Sequence, residues 1–453
     1  GLRAWFDAQT QAERTLSALF CYASLRRSED TRAEAAQVMY ARAMAKYVQY
    51  GEAVAFAEPE ILALPEETLK AFLEDSQLAP YRFVMENLLR RTPHTLSAAE
   101  EQLLASFGEV LTAPGEISDN LQDADLVFEP VVDGQGNKVE VTGSNYILLQ
   151  SSTDRTLREN AFRSYYKGYR QHINTFAATY SANVKAAAAE ARARHYQSSR
   201  AMSMAGENIP ASVYDNLVAT IRKHLPAMYR YVALRKKILG VDELHYYDVY
   251  APLMADSEAR YTYEQAQQMV LDAVAPLGED YVEQVKKAFA TRWIDVYPNR
   301  GKSGGAYSSG SYDSDPYILT NFTGTLDSVS TIAHEMGHSM HTWHSNHAQP
   351  PQYANYTLFV AEVASTVNEN LMIEQLLKKE QEPHARLALL NQYLENFKGT
   401  VYRQTMFAEF EREAHAMAER GEALNPAALN ALYRRLIEDY FGPELVVDDE
   451  VQY

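Results

Sequence analysis

The sequence predicts a mainly α-helical protein, and three observations support this prediction. Residues 1–113 are rich in alanine, leucine, glutamate and arginine, which favour helices, and prolines separate the successive segments. The same character returns from 153 to about 295, where Pro210, Pro226, Pro252 and Pro276 predict breaks or first turns of helices. Patterns typical of strands are confined to short stretches around 127–141 and 300–324. A chain of 453 residues is long enough to form a large core and two or more lobes.

A change of pattern near residue 130 suggests where the lobes meet. Val127–Val132 and Lys138–Val141 flank the glycine-containing loop Asp133–Asn137, which predicts a β-hairpin. We therefore expect an N-terminal helical lobe over 1–150 that includes this hairpin, followed by a second domain over 151–453.

The second β-type region precedes the part of the chain that carries the chemistry. Residues 301–311 are rich in glycine and serine and predict a mobile loop, and Tyr317–Phe322 then predicts a strand. We expect an exposed edge of this strand to pair with an extended peptide, because such pairing binds the peptide main chain and tolerates many different peptide side chains. The alternative interpretation is a plain surface loop.

The most informative feature is the run His334-Glu335-Met336-Gly337-His338. Two histidines four residues apart lie on the same face of a helix, where both imidazoles can bind one zinc ion. Glu335 then lies beside the metal, where a carboxylate can take a proton from a water molecule. The neighbouring residues are apolar or small, which favours a buried helix over the alternative of two solvated surface histidines. The pattern is typical of a zinc peptidase.

A catalytic zinc usually has three protein ligands and one open position, so a third ligand must be found. His344 has the spacing of a longer zinc motif, but that motif requires a glycine where this chain has His341. We therefore expect the helix to continue through His344. We expect His341, His344 and His347 to line the site or to donate hydrogen bonds to its ligands rather than to supply a fourth ligand.

Glu362 is the better candidate for the third ligand. It lies 24 residues after His338, within a segment over 359–371 whose apolar residues have helical spacing. We expect Glu362 to lie at the flank of the buried face of that helix. Ser365 and Glu369 follow one and two turns later, where either could accept a hydrogen bond from a ligand histidine.

Composition excludes several other classes of protein. The net charge of -18 argues against a nucleic-acid partner, which requires a basic surface. No stretch of 18 apolar residues is present, so no membrane span is expected. Cys21 is the only cysteine, and we expect it to be buried. A single cysteine and the absence of a visible signal peptide favour a cytoplasmic location.

These residues together resemble a known family. The zinc motif, followed by Phe359–Thr366, resembles the thimet-type oligopeptidases and most of all their oligoendopeptidase F branch. Arg300–Tyr307 and Pro316–Phe322 resemble the strand region before the zinc helix of that family. Phe397–Glu411 resembles a later helix, so the resemblance covers most of the chain.

The resemblance implies a zinc endopeptidase that cuts short peptides in a deep cavity of a two-lobed, mainly helical body. It implies one Zn²⁺ per chain on His334, His338 and Glu362, with Glu335 as the base. It also implies that the chain begins inside the helical lobe and ends before a segment whose histidine and tyrosines stabilise the oxyanion. The alternative is a zinc- and peptide-binding body with little or no turnover. Peptide specificity and oligomeric state do not follow from the sequence.

Overall fold

The structure is a computed structural model of the chain, and it describes residues 1–143, 145–254 and 260–453. Helices dominate these residues, as the sequence predicts. The α-helices are α1 (Leu2–Glu29), α2 (Glu34–Val54), α3 (Ala57–Leu62), α4 (Glu66–Glu74), α5 (Arg82–Arg91), α6 (Ala98–Ser106), α7 (Gly108–Asn120), α8 (Tyr146–Gln150), α9 (Arg155–Gln171), α10 (Ile173–Ala193), α11 (Ser199–Gly206), α12 (Ala211–Leu239), α13 (Tyr263–Val274), α14 (Glu279–Ala290), α15 (Leu326–Ala348), α16 (Leu358–Lys379), α17 (Pro383–Asn396), α18 (Gln404–Glu419) and α19 (Pro426–Phe441).

Seven short strands accompany these helices in the described structure. They are β1 (Val131–Val132), β2 (Lys138–Val139), β3 (Leu244–His245), β4 (Ile294–Asp295), β5 (Tyr307–Ser309), β6 (Tyr317–Leu319) and β7 (Leu445–Val446). β1 and β2 form the predicted antiparallel hairpin, with Val131 opposite Val139. Among the described helices, none has both the length and the apolar character needed to cross a bilayer.

The chain divides into two compact units, and both are discontinuous in sequence. The first comprises residues 1–92 and 258–389, and the second comprises residues 93–257 and 390–453. The predicted domains over 1–150 and 151–453 are continuous segments, and their boundary stays a prediction.

In the first unit, a three-stranded sheet has the order β4–β6–β5. β6 runs parallel to β4 and antiparallel to β5, with Ser308 opposite Ile318. The prediction of an exposed edge on the strand that begins at Tyr317 was therefore wrong, because both sides of β6 are occupied. The third strand, β5, comes from the segment that was predicted to be a mobile loop, and it lies at an edge of the sheet.

The core of the first unit surrounds α15. Val329, Ile332, Met336 and Met340 have no exposed surface and pack with apolar residues from α13, α14 and α16, including Met372. The N-terminal helices belong to the same unit, since the backbone amide of Thr31 donates to the carbonyl of Gly301 at 2.7 Å. Cys21 on α1 is buried, as predicted.

The second unit has its own core, built mainly from α9, α10, α12, α18 and α19. α12 runs through Pro226, a residue expected to break or begin a helix. A proline inside a helix removes a backbone donor and weakens one turn. Burial of Leu225, Met228 and Val232 on either side of it supports the continuous helix. Parallel pairing of β3 with β7 joins the two segments of this unit.

Candidate metal centre

The helix α15 carries the His-Glu-x-x-His motif and begins where the sequence provides a cap. The hydroxyl of Thr325 accepts a hydrogen bond from the backbone N–H of Ser328 at 3.1 Å, which satisfies one of the unpaired donors at the helix start. The helix then continues to Ala348, so it includes His344, as predicted. His334 and His338 lie one turn apart on the partly buried side of this helix.

Glu362 lies on α16, but this helix is oriented differently from the prediction. The side chains of Phe359, Val363 and Val367 are exposed by 61%, 59% and 41%. Small and polar residues face α15 instead, with Ser365 and Asn368 almost fully buried. The expected apolar face of this helix was therefore wrong, and Glu362 is not at the flank of a buried apolar stripe.

A backbone contact explains why small residues of α16 face α15. A Cβ added to Gly337 would lie 2.6 Å from the Cα of Ser365, closer than real contacts allow. The two helix backbones can approach this closely only because residue 337 is glycine. Asn368 strengthens the packing, since its side-chain amide donates to the carbonyl of Ala333 at 3.1 Å. The sequence analysis missed the roles of Gly337 and Asn368.

Three predicted ligands meet as a result of this packing. One ligand atom each from His334, His338 and Glu362 lies within 4.8 Å of the others. The two Nε2 atoms are 3.1 Å apart, and Oε2 of Glu362 lies 3.4 Å from Nε2 of His334 and 3.5 Å from Nε2 of His338. Bonds of about 2.0–2.1 Å in a tetrahedral site place neighbouring ligand atoms about 3.3 Å apart. The donor set therefore fits a single Zn²⁺ ion.

Two further side chains of α16 orient these groups. Glu369 contacts Nδ1 of His334, so that Nδ1–H donates to the carboxylate and Nε2 faces the other two ligand groups. Burial opposes protonation of His334, but the hydrogen bond and charge of Glu369 raise its pKa overall. The Ser365 hydroxyl donates to Oε2 of Glu362 at 2.7 Å. Of the two predicted partners for a ligand histidine, Glu369 has this contact and Ser365 instead holds the carboxylate.

Glu335 lies beside the cluster in an environment that makes its carboxylate basic. Only 6% of the residue is exposed, and its Oε2 atom is buried without a hydrogen-bond partner among the described residues. Burial raises the pKa of Glu335 to about 7, while the charge of His334 lowers it and that of Glu362 raises it. The backbone amide of Ser308 on β5 favours the charged form. A carboxylate with a free oxygen can accept a proton here.

The remaining histidines of α15 have other contacts. The ring of His341 stacks on Tyr356 with centroids 3.6 Å apart. Nδ1 of His347 lies 2.7 Å from the carbonyl oxygen of Trp343 on the same helix. The cluster of possible metal ligands found in the described residues contains neither of these histidines, nor His344.

Comparison with known proteins identifies the family of the chain. The model of Peptidase family M3 matches residues 148–453, and the model named Oligopeptidase F matches residues 60–128. Oligopeptidase PepF of Bacillus subtilis is 44% identical over 98% of this chain and 66% of that protein. Group B oligopeptidase PepB of Streptococcus agalactiae is 41% identical over 99% of this chain and 74% of that protein.

A solved structure extends the comparison to the fold. The oligoendopeptidase-F of Enterococcus faecium is 35% identical, with a TM-score of 0.74 over 97% of this chain and 74% of that chain. The fold and the cluster of ligand groups define a mainly helical metallopeptidase. The chain belongs to peptidase family M3 and resembles its oligopeptidase F members over nearly its whole length.

Proposed function

We propose that the chain is a zinc-dependent endopeptidase that hydrolyses short peptides, with Glu335 as the general base. The observation that carries this proposal is the convergence of two imidazoles and one carboxylate beside a buried glutamate with an unpaired oxygen. Membership of family M3 supports the reaction class, and the names of the relatives support oligopeptide substrates.

His334, His338 and Glu362 would hold the metal, which we infer to be zinc from the nitrogen and oxygen donors and their spacing. Bound there, the ion would supply Lewis acidity, which polarises a carbonyl group and makes a water molecule more acidic. Glu369 holds His334 in the orientation that leaves Nε2 free. Ser365 donates to Oε2 of Glu362 and so fixes the oxygen that lies beside the two imidazoles.

Glu335 performs the proton transfers in this proposal. Its buried carboxylate takes a proton from the attacking water and later delivers that proton to the leaving amine. The absence of a partner for Oε2 among the described residues leaves this oxygen available to the water. Replacing Glu335 by glutamine removes the charge and keeps the shape of the side chain, so it should abolish peptide cleavage without releasing the metal.

The edge strand β5 would hold the peptide main chain. In the described part of the chain, β5 pairs with β6 alone, so its outer edge has no strand partner. Ser308 in this strand lies next to the zinc helix, since its hydroxyl is 2.8 Å from that of Ser339. Backbone pairing at such an edge depends little on side chains, so it suits a peptidase that accepts peptides of many sequences. The deep cavity implied by the resemblance stays a prediction.

The decisive experiment compares Glu335→Gln with the wild-type chain. We measure zinc per chain and cleavage of an internally quenched fluorescent peptide, with and without a chelator. We expect zinc in both proteins, chelator-sensitive cleavage in the wild type, and a loss of at least a hundredfold in the variant. The matched control is Glu374→Gln, an exposed glutamate on α16 that pairs with Lys378 and should leave the rate unchanged.

Each result has a clear meaning. Normal cleavage by Glu335→Gln would overturn the assigned base. Full zinc occupancy in Glu362→Ala after dialysis would overturn the third ligand. Peptide binding without cleavage by the zinc-loaded wild type would overturn the proposed activity in favour of a binding protein. The cytoplasmic location stays a prediction that cell fractionation would test.

A further inference from the structure

Arg403, in the second unit, carries a positive charge that no described carboxylate balances. It ends a π-helical segment, Phe397–Arg403, and such wide turns are rare and frequently found at functional sites. Its Nη1 donates to the hydroxyl of Tyr250. Its Nε is buried without an acceptor among the described residues, and Nη2 likewise has no acceptor there. Arginine commonly binds a carboxylate through this Nε–Nη2 edge, with two parallel hydrogen bonds.

The nearby carboxylate of Glu395 is already engaged by other groups. It accepts hydrogen bonds from the hydroxyl of Tyr231, from Nη1 of Arg235 at 2.8 Å, and from Nζ of Lys398. Both Arg235 and Lys398 are almost fully buried. One carboxylate therefore serves two buried cations, and among the described residues no ion pair joins it to Arg403. Among the described residues, the positive charges of Arg235, Lys398 and Arg403 therefore outnumber the single negative charge of Glu395.

The electrostatic influence of Arg403 extends to two further tyrosine hydroxyls, which can donate to an anion. Burial raises the pKa of the Tyr246 and Tyr433 hydroxyls, and the positive charge of Arg403 lowers the pKa of both. The balance raises the pKa of Tyr433 to about 12, so this hydroxyl keeps its proton at neutral pH. Neither hydroxyl donates to an acceptor among the described residues. A guanidinium with two free hydroxyl donors is well suited to an oxyanion.

We propose that Arg403, together with the hydroxyls of Tyr246 and Tyr433, binds a carboxylate group of a peptide ligand. The choice of a peptide rests on the proposed function. The choice of a carboxylate rests on the unpaired guanidinium edge, because a partly buried charge without a counterion costs free energy that a ligand carboxylate would recover. Both a peptide C-terminus and an acidic side chain supply this group.

The test measures binding of four dye-labelled peptides of one length to the chain dialysed against a chelator, which prevents hydrolysis. One peptide is neutral with an amidated end, one has a free carboxylate end, and two amidated peptides carry Glu in place of Gln at different positions. We expect at least one carboxylate-bearing peptide to bind about tenfold more tightly than the neutral one. Arg403→Gln should abolish this difference, and Arg403→Lys should restore only part of it.

Two further variants keep the test decisive. Arg434→Gln is the matched control, because Arg434 already pairs with Glu438 and Asp449, and it should keep the full preference. Tyr433→Phe removes one hydroxyl with little change of shape and should reduce the preference. Equal affinities of the wild type for all four peptides, or a preference that persists in a folded Arg403→Gln or is unchanged in Tyr433→Phe, would overturn the proposal.

A parallel cleavage assay separates this inference from the proposed function. Chelator-sensitive cleavage with no effect of carboxylates would refute the Arg403 site alone. A carboxylate preference that depends on Arg403, in a zinc-loaded chain that cuts no peptide, would refute the peptidase activity and leave the binding site standing.

Discussion

Gly337 on α15 and Ser365 on α16 are in direct backbone contact, with no room between them for a single methyl group. A Cβ at position 337 would lie 2.6 Å from the Cα of Ser365 and 2.7 Å from the carbonyl oxygen of Ala364. Backbone atoms cannot move aside as a flexible side chain does. The contact therefore sets the distance between the helix that carries His338 and the helix that carries Glu362.

Replacing Gly337 by alanine should separate these helices and weaken zinc binding. Overpacking of this kind costs about 1–3 kcal/mol of stability. We expect a lower melting temperature and less than one zinc per chain after dialysis. Gly51→Ala is the control, because a Cβ at this position in α2 meets no atom within 4 Å and should be neutral or slightly stabilising. Unchanged zinc retention in Gly337→Ala would refute this account of the helix spacing.

Replacing Glu369 by glutamine should weaken zinc binding without removing a ligand. The neutral amide is a poorer acceptor for Nδ1–H of His334, so the imidazole loses both orientation and basicity. We expect the zinc dissociation constant to rise about 10–100-fold, as measured by competition with a chromogenic chelator. Glu374→Gln on the same helix should leave the constant unchanged. Equal affinities for Glu369→Gln and this control would contradict the orienting role.

Peptide cleavage should fail in acid as Glu335 becomes protonated. Burial raises the pKa of this carboxyl to about 7, and a bound cation lowers it from there. Because a general base acts in its deprotonated form, the rate should be full above this pKa and fall below it. We expect the midpoint of kcat/KM at or below about pH 7, with zinc content measured at each pH. A rate that stays constant down to about pH 5 with zinc retained would exclude this assignment.

The stability of the protein should rise with pH through the range in which Lys398 loses its proton. Burial lowers the pKa of Lys398 from 10.5 to about 8, although Glu395 opposes the shift. Between these values the unfolded chain binds more protons than the folded chain, so the free energy of unfolding increases with pH. Relative to Lys398→Met, the wild type should gain about 2 kcal/mol between about pH 8 and pH 10 in urea titrations. Parallel pH profiles for the two proteins would show that Lys398 does not titrate in this way.

The sequence was sufficient to predict which three side chains meet at the candidate metal centre, because their placement follows from helix geometry. Four residues separate His334 from His338, and this spacing brings two side chains to one face of any helix. Glu362 could be chosen from the ligand rules for zinc and from its place in a helical segment. The structure brings all three together, and their roles as ligands remain a proposal.

The orientation of α16 could not be predicted because an apolar pattern does not reveal what covers it. Phe359, Val363 and Val367 have the spacing of a buried face, yet these side chains are exposed. The close approach at Gly337 selects small residues for the interface, and this long-range contact overrides the local pattern. A glycine inside a predicted metal helix was the signal available in the sequence.

The sheet was mispredicted for a similar reason. β5 and β4 are only three and two residues long, and short strands have no periodicity to detect. The partners that cover both sides of β6 come from segments that are distant in the chain or rich in glycine and serine. At Pro226 the error was of the opposite kind, because the sequence predicts a break or a first turn where the structure has a continuous helix. Burial of the neighbouring side chains maintains α12 across this proline.

The discontinuity of the first unit has a consequence for biosynthesis. Residues 1–92 leave the ribosome well before residues 258–389, with which they form one compact unit. At about 5–20 residues per second, the intervening segment takes on the order of ten to thirty seconds to translate. During that interval the early helices lack the partners that cover them in the finished protein. A nascent chain of this kind is a natural client for chaperones that shield apolar surface during translation.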